Sequence, residues 1–421
     1  MTCSDTNMLL QKNSRYFGYY ELPIFSFLLF EFFVMIPDKV VDSIAMASYL
    51  ITYKFGFASK ALVGSIFSLF TDIITSNAIY NMAVIAFMIL IAFISSLLGT
   101  VIRRSRSEVR PSVILFVILF LSSPLSVTYL LGMYLGRFDT YWIIITLVSL
   151  LFLKKPFLRW TIPLLCGIAI SVHQGYMFSY MPSLAIPLLY EIYKNKYSKI
   201  NIAVFLLSCF SAILLFIIFQ VSPSKVPFDN ALYFSDYLSN FADFKVSVVM
   251  LYNVYFANFK ESFYGYVQPL LLSYVVPACI TILTYSLPLI LIFGVLWKNC
   301  FCNTGNRFLK FIFILCAFSP LIFIPIIFLL NDLDRYISAI INTQFILIFY
   351  FIYSNESSVI DSVIKIGNFF DKHFLLLIVT IIFLCSIKFS EAVTNIFSFI
   401  QDKDAVSKAL EEYMNSKIFG Y

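Results

Sequence analysis

Residues 79–100 read IYNMAVIAFMILIAFISSLLGT, and the next ten, 101–110, read VIRRSRSEVR. The first string contains no Asp, Glu, Lys or Arg, and as a helix it would be about 33 Å long, enough to cross a hydrocarbon core of about 30 Å. The second places Arg103, Arg104, Arg106 and Arg110 directly behind it. A basic cluster behind an apolar run marks the cytoplasmic side of a membrane span. The span must be a helix, because lipid offers the backbone no hydrogen-bond partners, and the strands of a barrel would alternate polar with apolar residues.

The rest of the chain repeats this pattern. Further apolar runs lie at about 22–37, 111–128, 138–153, 157–173, 175–190, 200–221, 267–297, 308–330, 336–353 and 374–390. With 79–100 they predict an all-α, polytopic transmembrane helical bundle of about 11 spans, one integral membrane domain over residues 1–421. Composition agrees: 61% of residues are hydrophobic and 12% charged, against about 25% charged in a soluble domain, and mean hydropathy is +0.90. A chain with so little polar surface cannot be a soluble globular domain. Its net charge of +6 sits mostly in short loops between apolar runs, so it is not read as nucleic-acid affinity. The eight cysteines show no metal or redox spacing and are read as small apolar fillers. The polar N-terminus carries no cleavage signature, so no removed signal peptide is expected.

Orientation follows from the loops. Lys12 and Arg15, the Arg103–Arg110 cluster, Lys154, Lys155 and Arg159, Lys194, Lys196 and Lys199, Lys298, Arg307 and Lys310, and Lys365 and Lys372 all fall on one side of an eleven-span bundle, well over half of the 29 Lys and Arg residues. That side is expected to be the cytoplasm, with the N-terminus in it. The opposite face then holds two long segments, 38–78 and 222–266, the turns at Arg137, His173 and 331–335, and the tail after 390. The two long segments mix apolar and polar residues and are expected to form helices lying on the outer membrane surface. No internal repeat or inverted pairing of spans is visible.

Charges near apolar runs are costly and are therefore the functional candidates. Three clusters share the outer face: Gly136-Arg137-Phe138-Asp139, His173-Gln174-Gly175, and Asn331-Asp332-Leu333-Asp334-Arg335. The run ending at His173 would be roughly 25 Å long as a helix, so that turn should sit below the headgroups, where irregular backbone must line protein or a water-filled cavity. Each cluster has a plainer reading. Arg137 with Asp139, or Asp332 and Asp334, could cap the helix that follows, and His173 could be a hydrogen-bonded core residue. Glu31, inside the first run, could pair with an arginine or face a polar groove. His373 is read as interfacial. Lys225, Lys245 and Lys260, interleaved with tyrosines including Tyr264, could bind an anionic sugar lipid, although tyrosines are also expected in any interfacial belt.

On these three clusters, and on the pattern of spans over most of its length, the chain resembles the Wzy-type O-antigen and capsular polysaccharide polymerase family of bacteria. The likeness rests on Gly136-Arg137-Phe138-Asp139, on His173 with Gly175, and on Asp332 to Arg335. Relatives often carry an acidic residue directly after the histidine; here that position is Gln174, so no acid role is assigned to it. The resemblance implies a multi-pass inner-membrane glycosyltransferase. It would move a growing glycan from undecaprenyl diphosphate onto a new undecaprenyl-diphosphate-linked oligosaccharide at the periplasmic face. A chain-length regulator and a flippase would be its partners beside the lipid bilayer, and no nucleic acid would be.

The chemistry of that reaction sorts the candidates. A diphosphate leaving group needs cationic stabilisation, which guanidinium supplies in bidentate form, so Arg137 and Arg335 are the candidates. The attacking sugar hydroxyl must lose a proton, a task for His173 or Asp139 as general base. Asp332 and Asp334 would orient the arginines or bind sugar hydroxyls. No cofactor and no metal is expected; Asp332 and Asp334 would be the ligands if a metal were used. The rival readings are an O-antigen ligase or another lipid-linked-sugar transferase, and a flippase or other transporter, which should show charges along a central cavity and repeat symmetry.

Overall fold

A computed structural model describes residues 18–35, 41, 43–123, 135–221, 226–251, 255–256, 276–323 and 333–389. Among these the chain is all-helical apart from one isolated bridge. In chain order the helices are α1 (Glu21–Met35), α2 (Ser43–Leu50), α3 (Ala61–Phe67), α4 (Ser76–Arg104), α5 (Arg110–Ser122), α6 (Asp139–Leu153), α7 (Ile162–Val172), α8 (Tyr176–Ser179), α9 (Met181–Lys194), α10 (Lys199–Val221), α11 (Ala231–Ser239), α12 (Val248–Leu251), α13 (Val276–Asn303), α14 (Arg307–Phe318), α15 (Leu333–Tyr353), α16 (Ser357–Lys372) and α17 (Phe374–Phe389).

Four of the described helices, α4, α10, α13 and α15, contain a stretch long and apolar enough to cross a membrane, or five if α16 and α17, bent by 101° at His373, count as one span. The eleven apolar runs do not become eleven long helices. The run 175–190 is two helices, the short α8 and α9, broken at Tyr180 where Pro182 opens α9. Proline lacks the N–H an α-helix interior needs but fits its first turn, so it restarts the helix without altering hydropathy. The runs at 111–128, 138–153 and 157–173 give the shorter apolar helices Arg110–Ser122, Asp139–Leu153 and Leu158–Val172.

Burial separates bundle from lipid-facing helices. In α15 83% of the spanning window is buried, and in α10 only 22%. Leu206, Phe210, Ile213 and Ile217 form an exposed stripe at helical spacing along α10, as a lipid-facing helix requires. α15 packs against α4, α8, α9, α13 and α16, and α6 packs against α4, α7 and α9.

The long segments 38–78 and 222–266, expected on the outer face, touch one another at several of their described residues. Ile74 N–H donates to Phe241 O at 2.8 Å, and Asp243 accepts from Ser76 N–H at 2.7 Å and from its hydroxyl at 3.1 Å. Phe55 meets Phe234 edge to face at 4.9 Å, and Tyr255 O–H donates to Phe55 O. α3 is pressed onto the preceding chain at Gly64, where a Cβ would lie 2.1 Å from Ile51 O. Together they make one cap at the end where α4 begins.

The opposite end is where the basic loops converge. Arg104 lies over the Tyr353 ring, 4.5 Å from its centre, and Arg103 pairs with Glu21 at 2.8 Å. Lys154, at the end of α6, donates to Glu191 Oε1 on α9 at 2.6 Å and to Ser354 Oγ beyond α15 at 2.7 Å. Tyr350 O–H reaches the same Oε1 at 2.8 Å, and Lys194 donates to Ser354 O at 2.6 Å. Arg159 bridges to Asn201 on α10 at 2.9 Å. α16 packs on α5, with Gly367 so close to Ser112 that a Cβ would sit 2.2 Å from its hydroxyl. Arg103, Arg104, Lys154, Arg159 and Lys194 therefore share one end of the bundle, as their loop positions require.

Candidate functional site

α6 and α15 carry the site because each begins with a charged residue in its first turn. Asp139 is the first residue of α6 and Arg335 lies in the first turn of α15. Both are buried, and their side chains form an ion pair. Asp139 does not simply cap its own helix with Arg137 beside it, as one reading of the Gly136–Asp139 cluster had it. It joins two helices nearly two hundred residues apart in sequence. A charged pair at this depth costs several kcal/mol of desolvation per ion, so it persists only where each partner is held by the other.

Gly136 sets the approach to this pair. Its φ of +92° lies in the region that favours glycine, and a Cβ there would stand 2.7 Å from Val41 Cγ1. Arg137 follows it directly and is partly buried. Gly136→Ala should therefore lose at least about 1–2 kcal/mol, the cost of left-handed backbone for a side-chain-bearing residue. The check is the thermal midpoint of the purified protein in detergent; an unchanged midpoint would show that the turn tolerates a side chain.

His173 caps the C-terminus of α7 with extended backbone, φ −167°. Its ring stands edge-on to Trp142 of α6, 5.1 Å between centres at 89°. Gly175 N–H donates to His173 Nδ1 at 2.9 Å. That bond occupies the Nδ1 lone pair, so the neutral ring carries its proton on Nε2 and presents a donor, not a base, to anything beyond it. A general-base role for His173 does not fit this arrangement. Gly175 is packed to the limit: a Cβ would meet Trp142 at 3.0 Å and both His173 Nδ1 and Tyr336 Oη at 3.1 Å. Trp142 is itself held by donation from Nε1 to Ala169 O at 3.1 Å.

Three cations, Lys60, Arg335 and Arg137, act electrostatically on the His173 ring. Sequence reasoning missed Lys60. It precedes α3 in left-handed backbone, φ +72°, a conformation unusual for a lysine and most often retained where surrounding structure imposes it. The neighbouring chain is fastened over the histidine turn: Gln174 N–H donates to Ser59 Oγ at 3.1 Å, and Gln220 Nε2 donates to Gln174 Oε1 at 2.5 Å. Gln174 thus has a structural task. Phe57 stacks on both Tyr53 and Phe219 beside it, at 5.2 and 5.0 Å.

The structure brings Arg137, Asp139, His173 and Arg335 into one site. Asp332, Lys225, Lys260 and Tyr264 lie outside the described residues, as does the side chain of Asp334. Lys245 is exposed between α11 and α12 and is not among the cations acting on His173. Glu31 is buried in α1, and His373 packs on Phe369 at the bend between α16 and α17. Among the described residues no three His, Cys, Asp or Glu side chains are grouped to hold a metal ion. No protein-family model, curated protein or solved structure matches this chain.

Proposed function

We propose that this protein is a bacterial inner-membrane glycosyltransferase that polymerises undecaprenyl-diphosphate-linked oligosaccharide repeat units into O-antigen or capsular polysaccharide at the periplasmic face. The observation that carries this reading is the gathering of Lys60, Arg137 and Arg335 around the His173 turn, with the Asp139 carboxylate held by Arg335. Cations gathered at one turn suit a diphosphate that gains charge as its bond to sugar breaks. With the basic end of the bundle read as the cytoplasmic side, this cluster, at the opposite end, falls on the periplasmic side.

In this scheme Arg137 and Lys60 take the diphosphate oxygens. Asp139 holds Arg335 in place, and the Nε2–H of His173 donates to a sugar or phosphate oxygen. With Nδ1 of His173 occupied, Asp139 is the candidate base for the acceptor hydroxyl.

The test is deletion of the gene in its host, followed by gel analysis of surface lipopolysaccharide or capsule, with complementation by the wild-type gene. The expected result is loss of the ladder of chain lengths with retention of one repeat unit on the lipid core. Loss of all glycan beyond the core would instead identify a ligase or flippase, and an unchanged ladder would remove the protein from this process.

A further inference from the structure

The faces of α6 and α15 that begin with Asp139 and Arg335 continue along a cavity. One helical stripe of α6 runs Asp139, Ile143, Leu147, Leu150, Leu151, Lys154, and the facing stripe of α15 runs Arg335, Ser338, Asn342, Ile346, Phe349, Tyr353. From Ile143 and Asn342 onward these residues, with Leu98 of α4 and Phe120 of α5, line a cavity of about 100 Å³. The lining is apolar except at its two ends, Asn342 towards the candidate site and Lys154 towards the basic end. Leu97, Leu151 and Ile346 on its rim remain partly exposed. From Ile143 to Lys154 the cavity follows α6 for about 16 Å, close to the depth of one leaflet of hydrocarbon, about 15 Å.

We infer that this cavity holds one acyl chain of an anionic phospholipid drawn from the leaflet at the basic end of the bundle, with the phosphate at Arg104. Charge on the cavity wall decides the direction of the chain: the lining includes Lys154 and none of Lys60, Arg137 and Arg335. At the candidate-site end the guanidinium of Arg335 is already buried against Asp139. At the basic end Arg103 is taken by Glu21 and Lys154 by Glu191, whereas Arg104 is exposed and sits over Tyr353, itself part of the cavity wall. An anionic headgroup at Arg104 places its chain against Tyr353, Phe349 and Leu147, where lipid fills a void that water would enter only at high cost. The inference does not depend on the proposed reaction.

The test uses the purified full-length chain in bilayer discs of equal phosphatidylglycerol and phosphatidylcholine, with native mass spectrometry of the lipid retained after transfer to detergent. Wild type should retain phosphatidylglycerol in preference. Leu147→Trp, which fills the cavity, should lose the retained lipid. Arg104→Ala should reduce the preference for phosphatidylglycerol about fivefold, the weight of one basic side chain at an anionic surface. Arg137→Ala should leave retention unchanged. Should Leu147→Trp fail to fold, Arg104→Ala decides alone. Equal retention of the two lipids by wild type, undiminished retention in Leu147→Trp, an undiminished preference in Arg104→Ala, or loss in Arg137→Ala would overturn the assignment. So would displacement of phosphatidylglycerol by added polyprenyl diphosphate, which would give the cavity to the lipid tail of the substrate.

Discussion

Arg335→Ala is expected to abolish the polysaccharide ladder and to lower the amount of folded protein, whereas Arg137→Ala should abolish the ladder with a much smaller loss of protein. The difference follows from burial. Removing the Arg335 guanidinium takes from the buried Asp139 carboxylate the partner with which it forms its ion pair, which costs about 3–5 kcal/mol. Arg137 is only partly buried, so its loss is felt mainly by the reaction. Removing a cation or donor that acts on charge developing in a transition state typically lowers turnover by about 10²–10³. Asp139→Asn separates two roles for the carboxylate. A group that merely holds Arg335 should be replaced in part by the isosteric amide, leaving short chains, whereas the base for the acceptor hydroxyl should not. Ladders on gels, with protein level and thermal midpoint measured in parallel, distinguish these outcomes. Wild-type chain lengths in both arginine variants would remove Arg137 and Arg335 from the site.

Much of this site is legible in the sequence because charge in an apolar chain is conspicuous. Arg137, Asp139, His173 and Arg335 stand out against runs with almost no other ionisable residue, and orientation from the basic loops alone groups them at one end. What sequence did not reveal is who pairs with whom. Arg137 and Asp139 are two positions apart and look like partners, yet Asp139 pairs with Arg335, because the first turn of a helix points its side chains at whatever packs beside it. Lys60 escaped notice because it lies in a segment with no readable motif, and its left-handed backbone leaves no mark in composition. The histidine was recognised as a candidate, but its role turns on one backbone N–H two residues away, which spacing cannot supply. Hydropathy likewise overstated the long helices, since it sees the run at 175–190 as continuous while Pro182 restarts the backbone.

Glu191 shows the same limit at the other end, and its replacement is expected to cost as much stability as that of Arg335. In the sequence it is a lone acid near the end of an apolar run, among lysines, and is not among the candidates singled out there. In the structure it is buried and collects Lys154, Tyr350 and Asn195 within 2.9 Å, with Arg159 at 4.0 Å. It therefore ties α6, α9 and α15 together, and Arg159 extends the tie to α10. Glu191→Ala removes the carboxylate these side chains share and leaves Lys154 facing Arg159 and Lys194, a loss of about 3–5 kcal/mol. The thermal midpoint should fall sharply and the folded yield with it. The double variant Lys154→Met with Glu191→Leu should recover most of that loss, because well-packed apolar side chains often replace a buried pair at no net cost. Ladder formation at the opposite end should return with the fold. A double variant as unstable as the two single variants combined would show that the ammonium and the carboxylate act independently; recovery of stability without recovery of the ladder would show that the basic end does more for the reaction than hold the helices together.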